Sequence, residues 1–164
     1  MKNKDFILYV RNFIFGAEDS LVSTVGLLAG IVSAGILQRE VIISGVVLIS
    51  VEAFSMSIGS FLSERTTEEY YPGFHKDKSK SIPAAFIMFF SYLFCGFVPL
   101  FPYLVVGRKT AFWWSILASL LALFLLGFAS AKILKTHLLK NAFRMMLIGG
   151  VAISLGVVVG MMIK

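Results

Sequence analysis

Apolar residues in this chain do not alternate with polar ones. They run in long blocks, and the charged residues stand between the blocks. Residues 20–38, 81–107, 110–131 and 145–163 contain no Asp, Glu, Lys or Arg, and 41–63 is interrupted only by Glu52. About 20 apolar residues at 1.5 Å rise cross the hydrocarbon core of a bilayer, so each block predicts a transmembrane helix. Buried helices of a soluble bundle would keep a polar face, and these blocks have none. The pattern predicts helices over about 13–37, 41–64, 82–106, 111–131 and 144–163, with 1–12 as a short lead. Gln38-Arg39-Glu40 is read as a tight turn between the first two helices. Segment 65–81 is the longest polar stretch, with Pro72-Gly73 as its turn signal. Pro99 and Pro102 are expected to kink or end the third helix. Trp113 and Trp114 open the fourth where an interfacial aromatic belt belongs. Residues 132–143, with Lys132, Lys135 and Lys140, read as an amphipathic surface helix.

Composition sharpens this picture. Of 164 residues, 58% are hydrophobic and 15% charged, against about 25% charged in soluble domains. The chain is read as all-α: one integral membrane domain over 1–164 with five transmembrane helices. Too few residues remain for a soluble active-site module, so an enzyme is not expected. A lone cysteine, Cys95, excludes a disulfide framework and a CxxC metal knuckle. No nucleophile–base set, glycine-rich phosphate loop or HExxH signature occurs.

The net charge of +6 is a matter of topology. Eleven of the fifteen basic residues fall in the N-terminal lead, the 65–81 segment and the 132–144 segment. By the positive-inside rule the N-terminus is cytoplasmic and the C-terminus outside. The basic residues then serve as loop anchors, and no nucleic-acid partner is implied.

Carboxylates within the bilayer are costly and are functional candidates by default. Glu18, Asp19 and Glu52 qualify. Asp19, Ser23, Gly26, Gly30 and Ser33 share one small, polar helix face. Such a face either packs closely on another helix or lines a path. Glu52, Met56, Ser60 and Glu64 recur every four residues along the second helix. With Arg11 and Arg65 as cytosolic edges, Asp19 lies about 12 Å deep, Met56 about 13 Å and Glu52 about 20 Å. A carboxylate and a thioether at one depth suit a divalent transition metal of intermediate softness, although most methionines are core filler. Glu64, Glu68, Glu69 and His75 could gather cations at the cytosolic mouth, or simply belong to a solvated loop. Gly26/Gly30 and Gly156/Gly160 are GxxxG pairs of the kind that let helices approach closely in lipid. The seam of Gly26, Gly30 and Ser33 is expected to pack between two copies of the chain.

The motifs resemble those of the vacuolar iron transporter family. Ala17-Glu18-Asp19-Ser20-Leu21 with Gly26-Leu27-Leu28-Ala29-Gly30-Ile31 is similar to its "DG(L/I)…GLVxGV" first helix. Phe54-Ser55-Met56-Ser57-Ile58-Gly59 resembles "SMxxGEY", Gly96 to Tyr103 resembles "GxxxPLxPF", and Gly149-Gly150-Val151-Ala152 resembles a closing "GxxA". The matches fall in order and cover most of the chain. The resemblance implies a five-helix homodimer in a lipid bilayer that moves Fe2+, and often Mn2+ or Co2+, out of the cytosol in exchange for protons. The path would run between the first and second helices at the dimer interface. Asp19 and Met56 take the family's transport positions, and the metal is substrate, not cofactor.

Three departures stand out. Ser20 replaces the glycine after the aspartate, and Ser60 replaces the glutamate of "GEY". Only about 17 residues join helices two and three, so the cytosolic metal-binding domain often found there is not expected in this short form. Glu52, two turns from Ser60 on the same stripe, is placed to supply the missing carboxylate. A proton-linked carrier of another small cation and a non-transporting membrane scaffold are the alternatives. Minimal loops favour a prokaryotic plasma membrane, or the vacuolar membrane in a eukaryote.

Overall fold

A computed structural model describes residues 2–70 and 80–163, and the side chains of all of these but 2–4, 68 and 69. Five helices account for almost all of it: α1 (Lys2–Ser33), α2 (Gln38–Tyr70), α3 (Ser81–Val105), α4 (Arg108–Ile133) and α5 (Leu138–Ile163). All five are long and apolar enough to cross a membrane, as the charge-free blocks predict.

The helix ends differ from the sequence reading for a physical reason. Charges mark where a helix leaves hydrocarbon, not where it stops. Lys, Glu, Arg and Gln are good helix formers in water, so α1 begins at Lys2 instead of near residue 13. Likewise α2 continues to Tyr70, with Thr66 and Thr67 hydroxyls donating back to the Leu62 and Ser63 carbonyls at 2.9 Å each. The α1–α2 turn is also displaced. Gln38-Arg39-Glu40 forms the first turn of α2, and the chain reverses over residues 34–37. Gly35 has φ +87°, its N–H reaches the Val32 carbonyl and the Ile36 N–H reaches Ile31, which is the glycine-dependent Schellman ending. Glu40 then accepts from the Leu37 N–H at 3.0 Å and caps α2.

No separate surface helix covers 132–143. The structure divides that segment between the end of α4, a turn and the start of α5. Lys135 takes a left-handed φ of 54° and Thr136 N–H closes onto the Ala131 carbonyl, ending α4 without a glycine to announce it. Helix α3 runs through both Pro99 and Pro102 and stops at Val105. The Pro99 carbonyl accepts from Ser115 Oγ at 2.7 Å, which ties α3 to α4.

Helix α1 is the centre of the bundle and touches all four others. One core cluster joins Leu28, Val41, Ile49, Leu100, Tyr103 and Ala111. Two more seat Leu21, Leu123 and Met145, and Val25, Ala29 and Ile153. Outward faces carry large apolar side chains, among them Phe86, Phe90 and Phe94 on α3.

The glycine pairs meet each other. A Cβ on Gly156 would strike the Gly26 carbonyl oxygen, and one on Gly160 would strike that of Gly30. The two GxxxG motifs therefore pack α1 on α5 within one chain. Gly26 and Gly30, expected at the contact between copies, are thus engaged by α5 of their own chain. Ser33 departs from the seam as well, since it lies with Val32, Phe112, Trp113 and Val157 in a recess between α1, α4 and α5.

Candidate functional site

Two polar layers set the register of α1 against α2. At the end where α1 begins, the Arg11 guanidinium pairs with the Glu64 carboxylate. Ser60 Oγ donates to Asn12 Oδ1, and Asn12 Nδ2 donates to the Leu8 carbonyl at 3.0 Å. Eight residues up α1 from Arg11 is Asp19, and eight residues back along α2 from Glu64 is Met56. The antiparallel helices thus hold Asp19 and Met56 at one level. Both side chains are half-buried, as is Glu52 one turn beyond.

The charge of Glu52 reaches Asp19. Two like charges held near one another in an apolar surround repel, and a cation relieves them. Tyr92, fully buried on α3, completes the group. Its hydroxyl shares a 2.7 Å hydrogen bond with Ser23 Oγ and lies within electrostatic reach of both Asp19 and Glu52. The candidate site therefore groups Asp19 and Ser23 of α1, Glu52 and Met56 of α2 and Tyr92 of α3, with Glu52 one turn beyond the level of Asp19 and Met56. Glu18 lies within electrostatic reach of both Arg144 on α5 and its neighbour Asp19.

The two family departures are absorbed locally. Ser20 is buried and its hydroxyl donates to the Tyr92 carbonyl at 2.6 Å, beside Gly96, whose missing side chain leaves it room. Ser60 is engaged with Asn12. Of the residues expected at the cytosolic mouth, Glu64 is held by Arg11, while the side chains of Glu68 and Glu69 and the whole of His75 lie outside the described residues. Sequence reasoning missed Tyr92, which looks like one more aromatic in a Phe-rich helix. It also missed Asn12, which falls in what reads as a lead but is 3% exposed.

Among the described residues, no group of three or more His, Cys, Asp or Glu side chains gathers within one chain. An open apolar groove flanks the site, lined on α1 by Ser23, Leu27 and Ile31, on α2 by Leu48 and on α5 by Leu155 and Val159.

The sequence matches a family model, that of the VIT family, over residues 10–82 and 72–161. It is 22% identical over 203 aligned residues to Vacuolar iron transporter 1 of Arabidopsis thaliana, with 87% of this chain and 81% of that protein covered. With five membrane-length helices in place and nearly the whole chain matched, the protein belongs to the VIT family.

Proposed function

We propose that this protein moves a divalent transition metal ion, Fe2+ foremost and Mn2+ or Co2+ besides, out of the cytosol along α1 and α2, in exchange for protons. What supports the reading is the register of α1 on α2, set by Arg11 with Glu64 and Asn12 with Ser60, which brings half-buried Asp19 and Met56 to one level with Glu52 a turn beyond. Carboxylate oxygen neutralises the ion's charge. Thioether sulfur selects against magnesium and calcium, which demand oxygen ligands. A carboxylate at this depth is also a group that can exchange a proton for the metal.

One chain offers too few ligands to close a coordination shell. A second copy related by a two-fold axis beside the groove would duplicate Asp19, Glu52 and Met56 around the axis, and isologous dimers are the commonest assembly. Water completes the shell and keeps the ion releasable. The relative's name, an iron transporter, supports iron as first substrate. The eleven basic residues of the lead, the 65–81 segment and the 132–144 segment support a cytosolic placement of that end.

The test is uptake by proteoliposomes holding the purified protein, with a pH gradient imposed or collapsed. Iron flux that rises with the gradient is expected. Transport of an organic cation without any metal flux would place the protein in another carrier class, and no flux of either kind would make it a scaffold.

A further inference from the structure

Glu64 is 7% exposed, yet the guanidinium that holds it belongs to Arg11, whose side chain is 65% exposed. The pair is uneven. Arg11 can swing into water and recover its hydration, whereas Glu64 stays where α2 puts it and would be left without that counter-charge. The carboxylate also stands at the foot of the Glu52, Met56, Ser60 and Glu64 stripe, two turns or about 12 Å below Met56.

The opposite end of α2 is tied differently. Gln38 Nε2 donates to the Tyr103 and Val106 carbonyls at 2.6 and 2.9 Å, and Arg108 donates to the Gly35 and Ile36 carbonyls at 2.8 and 2.5 Å. Those links run from side-chain donors to backbone, and the Glu40 carboxylate at that end serves as a helix cap for the Leu37 N–H. Of the two ends, the one with Arg11 holds a contact that an arriving cation can take over.

We propose that Arg11 is a tethered cation occupying the Glu64 carboxylate until a divalent transition metal ion displaces it, so that Glu64 is the first ligand on the path and Arg11 sets the concentration at which metal is admitted. The inference rests on the metal-transport reading above. A tethered competitor weakens apparent affinity by the factor with which it occupies the site. For an ion pair with one partner in water that factor is about fivefold.

The experiment measures initial Mn2+ uptake against Mn2+ concentration in proteoliposomes of the full chain. Arg11→Gln is expected to lower the half-saturating concentration about fivefold. Arg11→Lys, which keeps the charge but not the planar fork, falls between Arg11→Gln and the wild type. Glu64→Gln raises the half-saturating concentration. A value for Arg11→Gln equal to or above that of the wild type overturns the proposal. A pair that only braces the two helices would instead lower the maximal rate in Arg11→Gln and leave half-saturation in place.

The unaltered protein gives a second readout should Arg11→Gln fail to reach the membrane. Phenylglyoxal modification of Arg11, mapped by mass spectrometry, increases when Mn2+ is added and not when Mg2+ is added. Modification indifferent to Mn2+ overturns the proposal by itself. A wild-type protein that moves neither Mn2+ nor Fe2+ defeats the transport reading, and the labelling result still decides whether metal displaces Arg11.

Discussion

At the scale of single residues, the site assigns different tasks to similar groups. Asp19 and Glu52 both lie within electrostatic reach of Tyr92, but Asp19 stands at the level of Met56 and Glu52 one turn beyond it. Losing even a supporting partner of a metal ligand costs about 10- to 100-fold in affinity, so Asp19→Ala is expected to reduce uptake of every metal to background. Met56→Ala removes the soft donor and should lower Fe2+ and Co2+ uptake more than Mn2+ uptake, manganese being the hardest of the three. Wild-type iron flux in Asp19→Ala proteoliposomes, with the protein shown to be folded, would refute the assignment. Under the proposed function Glu52 has a separable role. Glu52→Gln keeps the shape of the side chain and removes its proton exchange, so metal flux should lose much of its dependence on an imposed pH gradient. Comparing flux with and without the gradient checks this, and an undiminished gradient effect would remove Glu52 from proton coupling.

At the scale of helices, α1 and α5 meet backbone to backbone at their glycines. A Cβ at Gly160 meets the backbone oxygen of Gly30, which cannot rotate away as a flexible side chain could. Gly160→Ala is therefore expected to destabilise the fold by about 1–3 kcal/mol, the range for overpacking a filled interface. Gly150, on the same helix with nothing near its missing Cβ, is the control. There alanine should be neutral or gain up to about 1 kcal/mol from helix propensity. Thermal unfolding in mild detergent reads both, and equal midpoints for the two variants would show that α5 does not seat on the α1 glycines. The same contrast explains what the sequence could reveal. Helix number and order were legible because five charge-poor blocks leave few other ways to cover apolar surface. The matched depth of Asp19 and Met56 was legible because Arg11 and Arg65 mark the interface on both helices. Helix ends were not legible, since Lys135 turns the chain at φ 54° with no glycine, and polar residues carry α1 and α2 on into water. The partner of each GxxxG pair was not legible either, because small residues record that a helix comes close without recording which one. Tyr92 stayed hidden because only its hydroxyl contact with Ser23 separates it from a core aromatic.

At the scale of the whole molecule, the groove beside the site is what a single chain leaves unfinished. Its walls are Leu27 and Ile31 of α1, Leu48 of α2 and Leu155 and Val159 of α5, and it runs alongside the level of Asp19 and Ser23. Gly26 and Gly30 pack on α5 and also line this groove, together with larger side chains that a second copy would have to meet. That changes where a contact between copies should be sought. Ser33 faces the α4 side and Gly30 lines the groove while packed on α5, whereas Leu27 brings a larger side chain to the groove. We expect the protein to run as a homodimer in mild detergent, with a cysteine at Leu27, in a Cys95→Ser background, forming an oxidative cross-link between chains. A cysteine at Leu121, which is exposed on α4, should not cross-link, because α4 lies on the far side of α1 from Leu48. Metal should matter to the outcome as well. If the two Asp19 carboxylates share an ion at the axis, Mn2+ relieves their repulsion and raises the yield of the Leu27 cross-link, whereas Asp19→Ala makes the yield independent of metal. A monomer in every mild detergent, or cross-links confined to Leu121, would mean that the groove faces lipid and that one chain carries the ion alone.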